Sequence, residues 1–314
     1  MIVARSPSTV TMPAADPPYP SIHAFLQTRF PQVSGATWQQ RLDQGKLLDD
    51  AGLPITRQTA YAPHRKINYF REREQEPQIP FTETILFHND EILVACKPHF
   101  LPVIPGGPYI NECLLNRLQQ KTGNPELVPI NRIDRETAGL VLFSARKENR
   151  DLYCELFRRG AVDKTYLALG HYPAPHTEEH WLVENRIEAG VPWFRMAAST
   201  GACNSRSRIR LLEVLGPNRT GMGEGCASLA AGDRLPADSA RFHLTPLTGK
   251  KHQLRLHMSG LGLGIINDRY YPDLTPEQAD DFEQPLQLLA HSLAFQDPIT
   301  GKRMEFRSER KLLC

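Results

Sequence analysis

From Phe81 onward the chain is written in short apolar runs separated by turn residues, and that spacing constrains its fold more than any other feature. Thr84-Ile85-Leu86-Phe87 and Ile92-Leu93-Val94-Ala95-Cys96 flank the polar step His88-Asn89-Asp90-Glu91, which predicts a hairpin. Leu140 to Ser144 predicts a buried strand, and Asn149 to Arg159 predicts a helix with Leu152, Leu156 and Phe157 on one face, ended by Gly160. Lys164 to Leu169, Arg206 to Leu215 and Arg241 to Leu247 return to strand spacing. The expectation is one large mixed domain over residues 81–314. Between the last two strands, a Gly/Ala-rich stretch at about 216–240 reads as a surface-loop insertion. Within it, Gly221-Met222-Gly223-Glu224-Gly225 imitates a glycine-rich nucleotide loop, but the pattern fails at Cys226 and no helix signal follows.

Ahead of this domain the pattern differs. Residues 1–20 carry five prolines and no apolar secretory run, so they are expected to form a flexible lead-in. Residues 21–80 are expected to form a small appendage. Ser21 is placed to cap a helix, Thr37 to Gly45 spans a second short helix closed by glycine, Lys46 to Pro54 suggests a strand and turn, and His64 to Arg73 suggests another strand. The polar segment Glu74 to Pro80 reads as a linker.

Charge limits the kind of partner. With 37 Lys+Arg against 35 Asp+Glu, the formal net charge of +2 rules out a histone-like basic tail, so any nucleic-acid surface must be local. The appendage offers such a cluster in Arg57, His64, Arg65, Lys66, Arg71 and Arg73 among Tyr61, Tyr69 and Phe70, diluted by Glu72, Glu74 and Glu76; a solvated structural face is the equal alternative. Six cysteines without a Cys-x-x-Cys pair suggest reduced thiols rather than a disulfide scaffold or zinc ribbon. His252 and His257 are five apart, not the four that a helical zinc pair needs, so no metal is expected. No apolar stretch reaches the roughly 20 residues of a membrane helix, and a cytoplasmic monomer is expected.

The candidate reactive group is Asp134. It follows the apolar approach Leu127-Val128-Pro129-Ile130 and precedes the small-residue turn Thr137-Ala138-Gly139, which puts it in a loop at strand ends, where catalytic groups are usually displayed. On spacing alone, an aspartate in such a turn is more often a local backbone hydrogen-bonder. Tyr166, alternating with Leu167 and Leu169, reads alone as a core or edge tyrosine. Arg255, beside an apolar face of Leu254, Met258 and Leu261, reads alone as a helix-surface arginine.

Five segments in order change the weighting. Ile92 to Val103 with Lys97-Pro98, then Asn131-Arg132-Ile133-Asp134-Arg135-Glu136-Thr137-Ala138-Gly139-Leu140, then Lys164-Thr165-Tyr166, then Thr248-Gly249-Lys250-Lys251-His252-Gln253-Leu254-Arg255-Leu256-His257, then Leu289-Ala290-His291-Ser292-Leu293 resemble the motifs of RluA-type pseudouridine synthases. The resemblance runs from Phe81 to about Arg310. It implies an α+β catalytic domain on a mixed, mostly antiparallel central sheet with flanking helices, and isomerisation of specific uridines in structured ribosomal or transfer RNA without a cofactor. It further implies that Asp134 is the catalytic aspartate, that Arg255 pairs with it and that Tyr166 stacks on the target base. Arg132 would enter the stack the base vacates, with Asn131, Lys164, Lys250 and His252 as further RNA-contacting positions. Trp38 to Asn68 loosely resembles the S4-like RNA-binding module.

The chemistry suits such a set. The sugar-to-nitrogen bond is cut, the base turns and carbon is rejoined, so one ionised carboxylate is the minimum equipment, and a nearby guanidinium keeps it charged away from water. The base must leave its stack to react. Two departures stand out: Asn131 replaces the family's usual histidine and cannot carry positive charge, and Lys250-Lys251 stands where Arg-Thr is common. The rival readings are an inactive RNA-binding relative used in ribosome assembly and a glycosidic-bond hydrolase, for which Glu136 is the only second carboxylate nearby in sequence.

Overall fold

The computed structural model describes residues 1–173, 177–215, 235–276 and 278–312. Two compact units divide the chain: residues 1–78 with 105–112, and residues 79–104 with 113–314.

The smaller unit contains β1 (Ile2–Val3), β2 (Ser8–Thr11), α1 (Ile22–Arg29), α2 (Gly35–Asp43), β3 (Leu47–Leu48), β4 (Lys66–Tyr69) and β5 (Glu72–Arg73). Ser21 caps α1 by accepting the Ala24 N–H, and Ser34 caps α2 by accepting that of Thr37. β2, β4 and β3 form an antiparallel sheet in that order. Phe25, Leu26, Trp38, Leu47 and Ile67 fill the core with Met12. The first twenty residues are therefore not the flexible lead-in that their prolines suggest. Val10 faces Ile67 across the ladder and Met12 is buried, and burial of these side chains offsets the cost of ordering the segment. Residues 105–112, expected in the larger domain, belong to this unit. The Glu76 carboxylate accepts the backbone N–H groups of Ile110, Asn111 and Glu112 at 2.5–2.8 Å.

The larger unit contains β6 (Thr84–His88), β7 (Ile92–Lys97), α3 (Leu114–Thr122), β8 (Val128–Pro129), β9 (Ala138–Ser144), α4 (Arg150–Arg158), β10 (Val162–His171), β11 (His180–Ala189), β12 (Met196–Ser199), β13 (Ser205–Val214), β14 (Ser239–Pro246), α5 (Gln253–Gly260), β15 (Leu288–Gln296) and β16 (Arg303–Arg307). Among the described residues these strands form one sheet in the order β12-β11-β13-β14-β10-β15-β9-β7-β6, with β16 on β15 and β8 on β9. Every pairing is antiparallel except β15 with β9, so the mixed, mostly antiparallel sheet is present. Residues 216–234, which hold the glycine-rich imitation of a nucleotide loop and most of the expected insertion, lie outside the described residues.

Period-two patterning explains the strands. β13 buries Ser205, Ser207 and Ile209 and exposes Arg206, Arg208 and Arg210. β7 and β9 are buried throughout, as their unbroken apolar runs require. Fully buried Phe143, Phe242 and Phe295 each contribute on the order of 2–3 kcal/mol to this core. The parallel step of β9 on β15 needs Gly139. Its φ is +115°, and a Cβ there would sit 2.7 Å from the Ala290 nitrogen. Among the described residues no helix is long and apolar enough to cross a membrane.

Candidate active site

The loop between β8 and β9 displays Asp134. Its near side is fixed by Asn131, whose side-chain oxygen accepts the Leu142 N–H at 2.8 Å and so extends the β9 ladder past β8. Its far side is fixed by Lys97 at the end of β7. The Lys97 ammonium nitrogen is fully buried and donates to the carbonyls of Pro98 and Arg135 at 2.8 and 2.9 Å. Burial pushes the Lys97 pKa well below the usual lysine value, with the Glu136 and Asp134 charges opposing that shift. The lysine-proline motif thus holds the aspartate loop from beneath.

Arg255 approaches from α5. Its helix starts at His252, in the left-handed region at φ +55°, and the Gln253 side chain docks it on β13 through the Arg206 carbonyl at 2.9 Å and the Ser207 hydroxyl at 2.8 Å. The Gln253 side-chain oxygen accepts from the Thr248 hydroxyl and the Lys250 N–H. Thr248, Gln253 and Arg255 therefore form one device, in which the first two set the direction of the third.

Arg255 is buried, not a helix-surface arginine. Its guanidinium donates twice to Asp268, at 2.6 and 2.8 Å, and through Nη1 to Glu136 at 3.2 Å and Asp134 at 3.4 Å. The Tyr270 ring lies beneath it, 4.8 Å from the guanidinium carbon to the centroid. Burial alone would lower the Arg255 pKa, but the Asp268, Glu136 and Asp134 charges outweigh it and the net shift is upward. The three carboxylates differ in access. The Asp268 side chain is 0% exposed, that of Glu136 9% and that of Asp134 26%. Asp134 also makes the longest contact, so it alone of the three is both charge-balanced and open to an incoming molecule.

Tyr166 lies on β10 beside Ala290 of β15, at a bulge in their pairing. Burial first, and the Asp134 charge second, raise its hydroxyl pKa. Asp134 and Arg255 are thus in contact, and the Asp134 charge acts on Tyr166. His252, expected at the RNA surface, is buried in the same site. Its Nδ1 is 3.0 Å from the Tyr271 hydroxyl and its Nε2 3.9 Å from Asp134. Arg132 is exposed, with no hydrogen bond or ion pair to its guanidinium among the described residues. Lys164 points elsewhere, its ammonium nitrogen 5.8 Å from the Phe157 ring centroid, and Lys250 is exposed at the start of α5.

Asp268, Tyr270, Tyr271 and the anchoring role of Lys97 were not singled out from the sequence. The first three sit in an irregular segment with no periodicity, and only the pairing with Arg255 marks them. In the sequence Glu136 reads only as a hydrolytic carboxylate. It is held between Arg255 and Arg135, at 3.2 and 3.1 Å, and nearly shut off from water, so it is not free to activate one.

The family model for RNA pseudouridylate synthases matches residues 91–260, a span that holds Lys97, Asp134, Tyr166 and Arg255. The chain belongs to that family. It is accordingly an isomerase that turns uridine in RNA into pseudouridine. The dual-specificity RNA pseudouridine synthase RluA of Pasteurella multocida is 33% identical over 240 residues, covering 73% of this chain and 94% of that protein. Its counterpart in Haemophilus influenzae is 32% identical over 239 residues, covering 74% and 95%. In fold the chain is similar to human RNA pseudouridylate synthase domain containing 1, with a TM-score of 0.56 at 21% identity over 75% of this chain and 86% of the other. Pseudouridine synthase chemistry and the α+β fold implied by the five motifs are both borne out.

Proposed function

We propose that this isomerase acts on structured ribosomal or transfer RNA and that Asp134 is its catalytic carboxylate. One observation carries the assignment: of three carboxylates around the buried Arg255, Asp134 is the one that reaches solvent. Arg255 supplies the counter-charge beside Asp134, Tyr166 supplies a flat face for the flipped uracil, and exposed Arg132 enters the stack the base leaves. Asn131 serves the loop itself and contributes to RNA contact only through its remaining N–H groups. Lys250 is a phosphate contact, Lys164 is turned to Phe157 and makes none, and His252 supports Asp134 from within the site.

The names of the bacterial relatives, which specify dual specificity, support a substrate range of more than one RNA. In the smaller unit, Arg57 is paired with Asp43, and Arg65 with Asp49 and Asp50, while Tyr61 and Tyr69 pack on its core. Its RNA contacts therefore fall to His64, Lys66 and Arg73, which are exposed. We take the protein to work as a cytoplasmic monomer without metal or cofactor.

RNA tritiated at uridine C5 tests the assignment. The wild-type chain releases tritium without freeing uracil, whereas a hydrolase would free the base and an inactive binder would do neither. Asp134→Asn abolishes release; full release by that variant would refute the central role of Asp134. Mapping pseudouridine in cells with and without the gene then identifies the target nucleotides.

A further inference from the structure

The rim of this site carries apolar surface that is exposed among the described residues. β11 and β12 form a hairpin whose ladder closes where Ala189 faces Met196, so residues 190–195 make its tip. There Val191 is 93% exposed and Trp193 81%. Single apolar side chains on a surface need no explanation, but an indole and a valine sharing one tip beside a lysine form a patch.

The tip is held still. The Gly190 N–H donates to the Arg195 carbonyl at 3.0 Å, and the Arg195 N–H to the Pro192 carbonyl at 2.9 Å. The Arg195 guanidinium donates to the Pro272 carbonyl at 2.8 Å and lies over the Tyr271 ring. The Tyr271 hydroxyl accepts the Met196 N–H at 2.7 Å and donates to the Met196 carbonyl at 3.1 Å. The tip is also continuous with the catalytic site. The Phe194 ring centroid is 5.5 Å from that of Tyr270, the ring beneath Arg255. Exposed Lys251, one residue before His252, sets its ammonium nitrogen 5.8 Å from the Trp193 ring centroid.

We propose that Trp193 is a stacking platform for an unpaired nucleobase of the substrate RNA beside the flipped uridine, with Lys250 and Lys251 on the adjoining phosphates. The inference rests on the RNA-isomerase reading. Flipping one base deprives its neighbours of a stacking partner, and a rigid exposed aromatic ring replaces that contact at small entropic cost. An indole accepts any base face, so the platform serves more than one RNA sequence, and the two lysines supply the complementary charge.

The full-length chain is compared with Trp193→Ala and Trp193→Phe in two assays: tritium release from C5-tritiated ribosomal and transfer RNA transcripts, and tryptophan fluorescence during titration with oligouridylate. Trp193→Ala is expected to raise KM about tenfold with kcat within twofold, and Trp193→Phe to restore most of that affinity. Oligouridylate is expected to quench wild-type emission and to leave Trp193→Phe unquenched. An unchanged KM in Trp193→Ala together with quenching that survives in Trp193→Phe overturns the proposal. So does a wild-type dimer, seen by sedimentation, that Trp193→Ala splits without altering KM, because the patch would then belong to a second copy. Quenching that depends on Trp193 while no RNA releases tritium upholds the platform and refutes the catalytic reading instead.

Discussion

Asp134 and Asp268 bond the same arginine but do different work, and substitution separates them. Asp268 is sealed in and makes the bidentate contact, whereas Asp134 is part-exposed and makes the longest one. Asp268→Asn leaves Arg255 short of its principal counter-charge in a buried setting, a change of the kind that costs about 3–5 kcal/mol. Its urea midpoint should fall sharply, with activity reduced through a misplaced Arg255. Asp134→Asn should cost under about 1 kcal/mol in the same titration while abolishing tritium release. Equal stability losses in the two variants would contradict this division.

Tyr166 and His257 give opposite expectations for pH. Burial and the Asp134 charge raise the Tyr166 pKa above the ordinary tyrosine value, so its hydroxyl stays protonated through the neutral range. The rate of tritium release should therefore show no alkaline fall attributable to Tyr166 up to about pH 10, the unperturbed tyrosine value. His257 is buried on α5, with Nε2 3.1 Å from the Asn185 side-chain oxygen, and burial pushes its pKa down to about 4. His99, beneath the aspartate loop, is likewise lowered to about 4 by burial. Because the unfolded histidines take up protons first, the stability these neutral rings contribute is complete above about pH 6.5. It is lost as pH falls from there toward 4, by on the order of 3 kcal/mol for His257. Unfolding followed between pH 7 and 4 should show that slope, and His257→Gln should flatten it.

At the level of elements, the aspartate loop depends on the junction of β9 with β15. Gly139→Ala combines a backbone angle that alanine disfavours with a Cβ driven into the backbone of Ala290, so it should lower the thermal midpoint far more than a surface substitution does. Gly249→Ala, with open space around its Cβ position and no positive φ, is the control that should change little. Most elements of the larger unit were legible because each strand carries its own apolar pattern, as in β7 and β9, and because Gly160 marks the end of α4. The hairpin of β11 and β12 was not legible. Its alternation is broken by charged and small residues, and it is held by pairing with β13 rather than by propensity. That omission hid the exposed tip.

For the whole molecule, chain order and spatial order part company at residues 105–112, which lie within the larger domain in sequence but fold with the smaller unit. Removing residues 1–78 takes away Glu76 and leaves the N–H groups of Ile110, Asn111 and Glu112 without their acceptor. A chain beginning at Ile79 should therefore be cut by protease within 105–112, at sites mass spectrometry locates, where the full-length chain resists.

Taken by itself, the sequence determined the family and the sheet class and pointed to Asp134, Tyr166 and Arg255 as candidates, because five ordered motifs and local apolar periodicity survive without coordinates. Tertiary structure alone decided that Arg255 is shared among three carboxylates, that Asp134 is the most exposed of them, and that Lys97 and Asp268 hold the aspartate loop and the arginine. Burial and counter-charge are properties of neighbours brought together across more than a hundred residues of chain, as Asp134 and Arg255 are, and no local pattern encodes them.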